Sequence, residues 1–120
     1  AIVAANAPLE QMEVQTSALS AERLDRLRAA DAIVRELSES SGFEKQVWQF
    51  PVVVIPVGTA AAPDSVVLRP IHSVDGMTAQ SVEMPPDVLD EMSARILSVP
   101  GIAGVFYDLT NKPPATIEWE

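Results

Sequence analysis

The chain has 120 residues, and 48% of them are apolar, which suits one hydrophobic core and argues against disorder. Lys and Arg number 8 against 17 Asp and Glu, a net charge of −9 that repels phosphate backbones and speaks against nucleic-acid binding, while leaving room for a local basic spot at one phosphate. With no cysteine there is no disulfide, thiolate metal site or cysteine nucleophile, and no apolar run approaches the ~18–20 residues of a membrane span.

The sequence opens on Ala1 rather than Met and shows no charged-then-apolar leader, so it reads as processed or cut from something longer, with a cytoplasmic location expected. Residues 1–9 (AIVAANAPL) begin with an apolar, strand-like piece that ends at Asn6 and Pro8. It is either an edge strand of this domain or the last strand of a preceding module. Residues 10–18 are polar and aperiodic and read as a linker. Ser20 is a good helix N-cap, and Leu19 and Leu24 stand where a hydrophobic staple forms. Leu24, Leu27, Ala30, Val34 and Leu37 recur at helical spacing, Glu22–Arg26 and Asp31–Arg35 are i,i+4 pairs on the other face, and Gly42 supplies the stop. The expected helix covers about residues 21–40.

Phe50 to Val57 (FPVVVIPV) is a β-branched run and hence a buried strand, made irregular or edge-like by Pro51 and Pro56, which cannot donate to a ladder. Residues 58–64 (GTAAAPD) read as a loop and residues 65–72 (SVVLRPIH) as a second strand, the two strands pairing as an antiparallel hairpin. Met77 to Val82 is a weaker strand. Pro85 and Pro86 suit the first turn of a second helix, whose stripe is Val88, Leu89, Met92, Ile96 and Val99 and which must end before Pro100 and Gly101. Gly104 to Leu109 reads as a further strand. The fold class is α+β: a small, largely antiparallel sheet packed against two helices.

The residues carry no visible catalytic set. His72 is the one histidine, it sits at a strand end, and alone it cannot form a metal cluster. No Gly-x-Ser-x-Gly elbow, P-loop or Gly-x-Gly-x-x-Gly occurs, and the acids are scattered over helix faces and caps as solvated charge. The tail differs. Pro113 and Pro114 stiffen the backbone behind the mobile cation Lys112, and Trp119 stands one residue from the terminal carboxylate. This is either a docking tail with a hydrophobic anchor or a tail that closes over an anionic ligand with Lys112 on the anion.

The ending YDLTNKPPATIEWE, Tyr107 to Glu120, resembles the C-terminus of glutamine-hydrolysing GMP synthetases over its whole length. SVVLRPI, VDGMTA and VPGIAGV precede it at intervals similar to the family's, and the helix from Ser20 and the Gln-Phe-Pro-Val entry at Gln49 also match. The resemblance covers about residues 19–120, is most similar to the subclass with a duplicated dimerisation domain, and makes residues 1–18 the end of a preceding module plus linker. It implies a homodimer and binding of xanthosine monophosphate (XMP), which the family converts to GMP with ATP, Mg2+ and glutamine-derived ammonia. It also implies partner domains, a glutamine amidotransferase and an ATP pyrophosphatase. Neither catalytic signature is in this sequence, so the resemblance implies no cofactor in this chain, no activity for it alone, and no nucleic-acid or membrane partner.

Gln49, Lys112, Ile117 and Glu118 match positions that hold XMP in the family. Lys112 can neutralise phosphate, the Gln49 amide and the Ile117 backbone N–H can donate to phosphate oxygens, and Glu118 suits ribose hydroxyls or the orienting of Lys112. Arg69 and Trp119 match structural or interface positions, Arg69 equally a ligand one. Gly104 stands where the family usually has an arginine that reaches the phosphate, and Gly76 where it has phenylalanine. Those two glycines carry the alternative: a drifted stand-alone dimerisation scaffold or regulatory subunit that no longer binds XMP.

Overall fold

Ser20 opens the first helix by accepting, on its hydroxyl, the N–H of Arg23 at 3.1 Å. Gly42 closes it in the left-handed region at φ 80°, with its N–H donated to Glu39 O. Between them runs α1, Ala21–Ser41. A computed structural model describes residues 2–15, 20–47, 49–73 and 79–108. Of the expected stripe, Ala30, Val34 and Leu37 are buried, whereas Leu24, one turn from the start, is 40% exposed. The Asp31–Arg35 pair forms at 3.1 Å. The expected Glu22–Arg26 pair does not: Arg26 turns to Asp64 instead, at 2.8 Å.

Pro86 takes the first position of α2, Pro86–Leu97, where its missing N–H costs nothing. Met92 and Ile96 of its stripe are buried. Arg95 on this helix meets Glu36 of α1 at 2.7 Å and ties the two at the surface, an ion pair that holds the Glu36 carboxyl below its usual range.

The remaining strands are β1 (Ile2–Ala5), β2 (Glu13–Val14), β3 (Val52–Ile55), β4 (Val57–Gly58), β5 (Asp64–Leu68), β6 (Ile71–Ser73), β7 (Ala79–Ser81) and β8 (Ile102–Tyr107). The main sheet has the order β1-β8-β5-β3. β3 and β5 form the expected antiparallel hairpin, from Val52 opposite Leu68 to Ile55 opposite Ser65. The α+β class holds and the sheet is largely antiparallel as expected, with one parallel pair: β5 and β8 run side by side in the same direction, because the chain returns through α2 before laying β8 down. β1 borders β8, antiparallel, at the other edge of the sheet.

Two expected strands are each split by a proline. At Pro56 the run from Phe50 breaks, and β4 leaves to pair with β2 rather than continue along β5. At Arg69–Pro70 the second run breaks, and β6 pairs with β7. Asp64, expected in a loop, is the fully buried first residue of β5. The segment read as linker holds part of a 3-10 turn, Leu9–Gln11, and then β2. Val66 and Leu68 of β5 and Val105 and Tyr107 of β8 join Ala30, Val34, Leu37, Met92 and Ile96 in one core cluster. Among the described residues no helix is long and apolar enough to cross a membrane.

Candidate functional site

The path to Gln49 starts at the end of α1. Gly42 reverses the chain into a 3-10 turn, Phe43–Gln46. Phe43 is buried there, and its ring meets that of the buried Phe50 edge-on, with centroids 6.1 Å apart. These two rings fix both ends of the short segment that carries Gln49. The backbone of Gln49 is held as well: its N–H donates to Ile71 O at 3.2 Å, and the Ile71 N–H donates back at 2.8 Å. The Gln49 side chain is therefore exposed on a pinned backbone.

It opens onto a cleft of about 150 Å³ lined by Arg35, Ser38, Glu44, Val47, Gln49 and Phe50. One Nη of Arg35 lies 3.1 Å from the Asp31 carboxylate, and its contact with Phe50 O is long at 3.5 Å. The Ser38 hydroxyl is buried and has no hydrogen-bond partner among the described residues. The side chains along the cleft thus include a guanidinium and an amide as donors, one carboxylate as acceptor, and an apolar wall. In the sequence Arg35 stands out only as half of an i,i+4 pair with Asp31. Only the fold shows that it shares a cleft with Gln49, fourteen positions further along the chain.

Arg69 lies elsewhere. It is fully buried at the end of β5, 3.4 Å from the Asp108 carboxylate, and its N–H donates to Pro51 O. The Asp108 N–H donates to Leu68 O at 2.9 Å, so this ion pair fixes the chain just beyond β8, at the root of the C-terminal tail. Lys112, Ile117, Glu118 and Trp119 lie outside the described residues, as does Gly76. Gly104 is buried in β8, and a Cβ on it would come within 3.1 Å of the Met12 methyl and 3.4 Å of the Ser65 hydroxyl. A longer side chain in that direction needs Met12 to move. His72 is exposed at the strand end expected for it. No group of three or more metal-ligating side chains occurs among the described residues. Burial pushes the Tyr107 hydroxyl up to about 12, and that hydroxyl donates to Val82 O.

The family described as GMP synthase C terminal domain matches residues 35–119. A probable glutamine-hydrolyzing GMP synthase of Leptospira interrogans (serovar Lai) is 45% identical over 96 residues, covering 80% of this chain and 16% of that protein. The glutamine-hydrolyzing GMP synthase of Elusimicrobium minutum is 48% identical over 105 residues, 81% of this chain and 21% of the relative. That of Thermobifida fusca is 47% identical over 111 residues, 85% of this chain and 21% of the relative. The chain thus spans at most 21% of the length of these curated relatives.

Proposed function

The chain belongs to the family of GMP synthase C-terminal domains, and we propose that it serves a glutamine-hydrolysing GMP synthase as the module that dimerises and holds the phosphate end of XMP. In this reading residues 19–120 are that module and residues 1–18 the end of a preceding one plus linker, with the strand Ile2–Ala5 laid against β8 at the edge of the module's sheet. The chemistry belongs to partner domains: an amidotransferase releases ammonia from glutamine, and an ATP pyrophosphatase with Mg2+ adenylylates XMP. This chain supplies contacts rather than catalytic groups. Gln49 and the Ile117 N–H donate to phosphate oxygens, Lys112 neutralises them, and Glu118 takes ribose hydroxyls or orients Lys112.

The observation that carries the reading is the state of Gln49: exposed, on a backbone pinned at both N–H and C=O, and facing a cleft with a cation in it. A polar side chain fixed in this way loses little freedom when a ligand arrives, which is the economy a binding residue needs. Gln49→Ala and Lys112→Ala, each made in the complete synthase, are expected to raise the KM for XMP roughly tenfold and to leave glutamine hydrolysis unchanged. An unchanged KM in both variants overturns the XMP role.

A second reading has one observation in its favour. Gly104 is packed against Met12, so an arginine at that position would need the Met12 side chain to move. A dimerisation scaffold that no longer binds XMP accounts for this directly, and the same two variants separate it from the first reading.

A further inference from the structure

We propose that residues 2–15 are the seat of the module that stands before this one in the polypeptide, and that Leu9 and Val14 are the side chains it covers. The inference rests on the reading of this chain as the C-terminal module of a synthase, and it makes the segment a rigid junction rather than a spacer.

The first ground is where apolar surface is left in water. Four large apolar side chains are exposed among the described residues, and three of them, Ile2, Leu9 and Val14, belong to this one segment. Val14 is 71% exposed and Leu9 53%. One exposed apolar residue is ordinary, whereas several along one short segment mark a contact surface. The second ground is that the segment is fastened at both ends. The Asn6 N–H donates to Ala103 O at 2.7 Å, and its side-chain amide donates to Leu97 O at 3.1 Å and to Ile102 O at 3.2 Å, where α2 gives way to β8. The Gln15 N–H donates to Pro56 O at 2.7 Å and its side-chain amide to Gly58 O at 3.0 Å. Between these anchors Val14 pairs with Val57, and Met12 lies against Gly104. A surface ordered in advance loses little freedom when a partner settles on it.

The third ground is the side of the sheet on which the segment lies. Val105 and Tyr107 of β8 join the core with the helices, so Phe106 between them faces away, and so does its cross-strand partner Ile2. Gly104 faces away too, beneath Met12. The Ser65 hydroxyl on that side donates to Val57 O, which brings β4, and β2 with it, to the same side. The segment therefore presents its apolar side chains opposite the helix layer.

The occupant follows from the relatives and from charge. The family is a C-terminal one and the chain spans at most 21% of the relatives named above, so in those proteins the greater part precedes the matching domain. A module joined directly to this segment meets it at an effective concentration of about millimolar, ahead of a free partner. Glu10 and Glu13 are exposed beside Leu9 and Val14, so the covering surface is apolar with basic residues at its rim.

The test is hydroxyl-radical footprinting of the 120-residue chain and of the complete synthase, read at single side chains by mass spectrometry. Leu24, exposed on α1, is the internal reference. Labelling of Leu9 and Val14 relative to Leu24 is expected to fall several-fold in the complete synthase. Equal labelling in the two overturns the proposal. Protection already present in the 120-residue chain and lost on dilution assigns the surface to a second copy, which overturns the proposal and leaves dimerisation standing. Leu9→Asp and Val14→Asp, made together, are expected to leave the melting temperature of the 120-residue chain unchanged, since both side chains are in water there, and to lower that of the complete synthase by several degrees. The same effect in both contexts, or none in either, contradicts the proposal. The Gln49→Ala and Lys112→Ala measurements do not involve this surface, so an unchanged KM there removes the XMP role without touching this result.

Discussion

At Asp64 a carboxylate with no solvent contact sits 3.0 Å from Arg23 Nε and 2.8 Å from an Arg26 Nη. Both arginines come from the first two turns of α1, and Asp64 begins β5, so this one side chain ties the helix to a central strand. The sequence offers Glu22 as the partner of Arg26, four positions away. The fold chooses Asp64, because a fully desolvated carboxylate must be paired whereas an exposed glutamate has water. Asp64→Ala leaves two arginines facing an empty site and is expected to cost about 3 kcal/mol in denaturant unfolding. A loss below ~1 kcal/mol would show the clamp to be ornamental. Tyr107 provides a second residue-scale test, since it is the single tyrosine of the chain. Burial raises its hydroxyl to about 12, so the folded state holds the proton more tightly than the unfolded state does. The stabilisation is fully present below the ordinary tyrosine value near 10 and is lost as pH rises through about 12. Phenolate absorbance should therefore show one transition near 12 in the native protein and near 10 in denaturant. A native midpoint near 10 would place the hydroxyl in water.

At the scale of elements, the helices were legible because their signals are local. Ser20, Gly42, Pro86 and the spacing of apolar residues fixed both helices to within a residue or two at the ends the structure describes. Ser20→Ala should cost about 1 kcal/mol, measured by thermal or denaturant unfolding, and an unchanged stability would mean that α1 is held by packing alone. Gly101 carries a sharper constraint, at φ 91° with a Cβ position 2.7 Å or less from three atoms of the Arg26 guanidinium. Gly101→Ala is expected to destabilise by roughly 1–2 kcal/mol, because it strains the turn and pushes Arg26 off Pro100 O. The strands were less legible. The hairpin of β3 and β5 follows from adjacency, but prolines could be read only as irregularity, not as the points where β4 and β6 leave for partners of their own. The parallel pairing of β5 with β8 has no local signal at all, since its register is set by how α2 packs.

For the molecule as a whole, the candidate site divides along the same line. Gln49 could be named from a sequence resemblance, yet the cleft around it joins the last turns of α1 to the segment after Gly42, and no short pattern announces that meeting. Arg69 could be matched but not placed. Its burial against Asp108, at the root of the tail, appears only in three dimensions. The chain spans only 21% of a relative such as that of Elusimicrobium minutum, and the joining proposed for it is to a second copy of itself through a two-fold interface. Sedimentation equilibrium of the isolated chain across the micromolar range, with and without XMP, addresses this most directly. The account predicts a species of twice the 12.9 kDa chain mass whose population grows with concentration. A single 12.9 kDa species at every concentration, in a chain shown by circular dichroism to be folded, would contradict it.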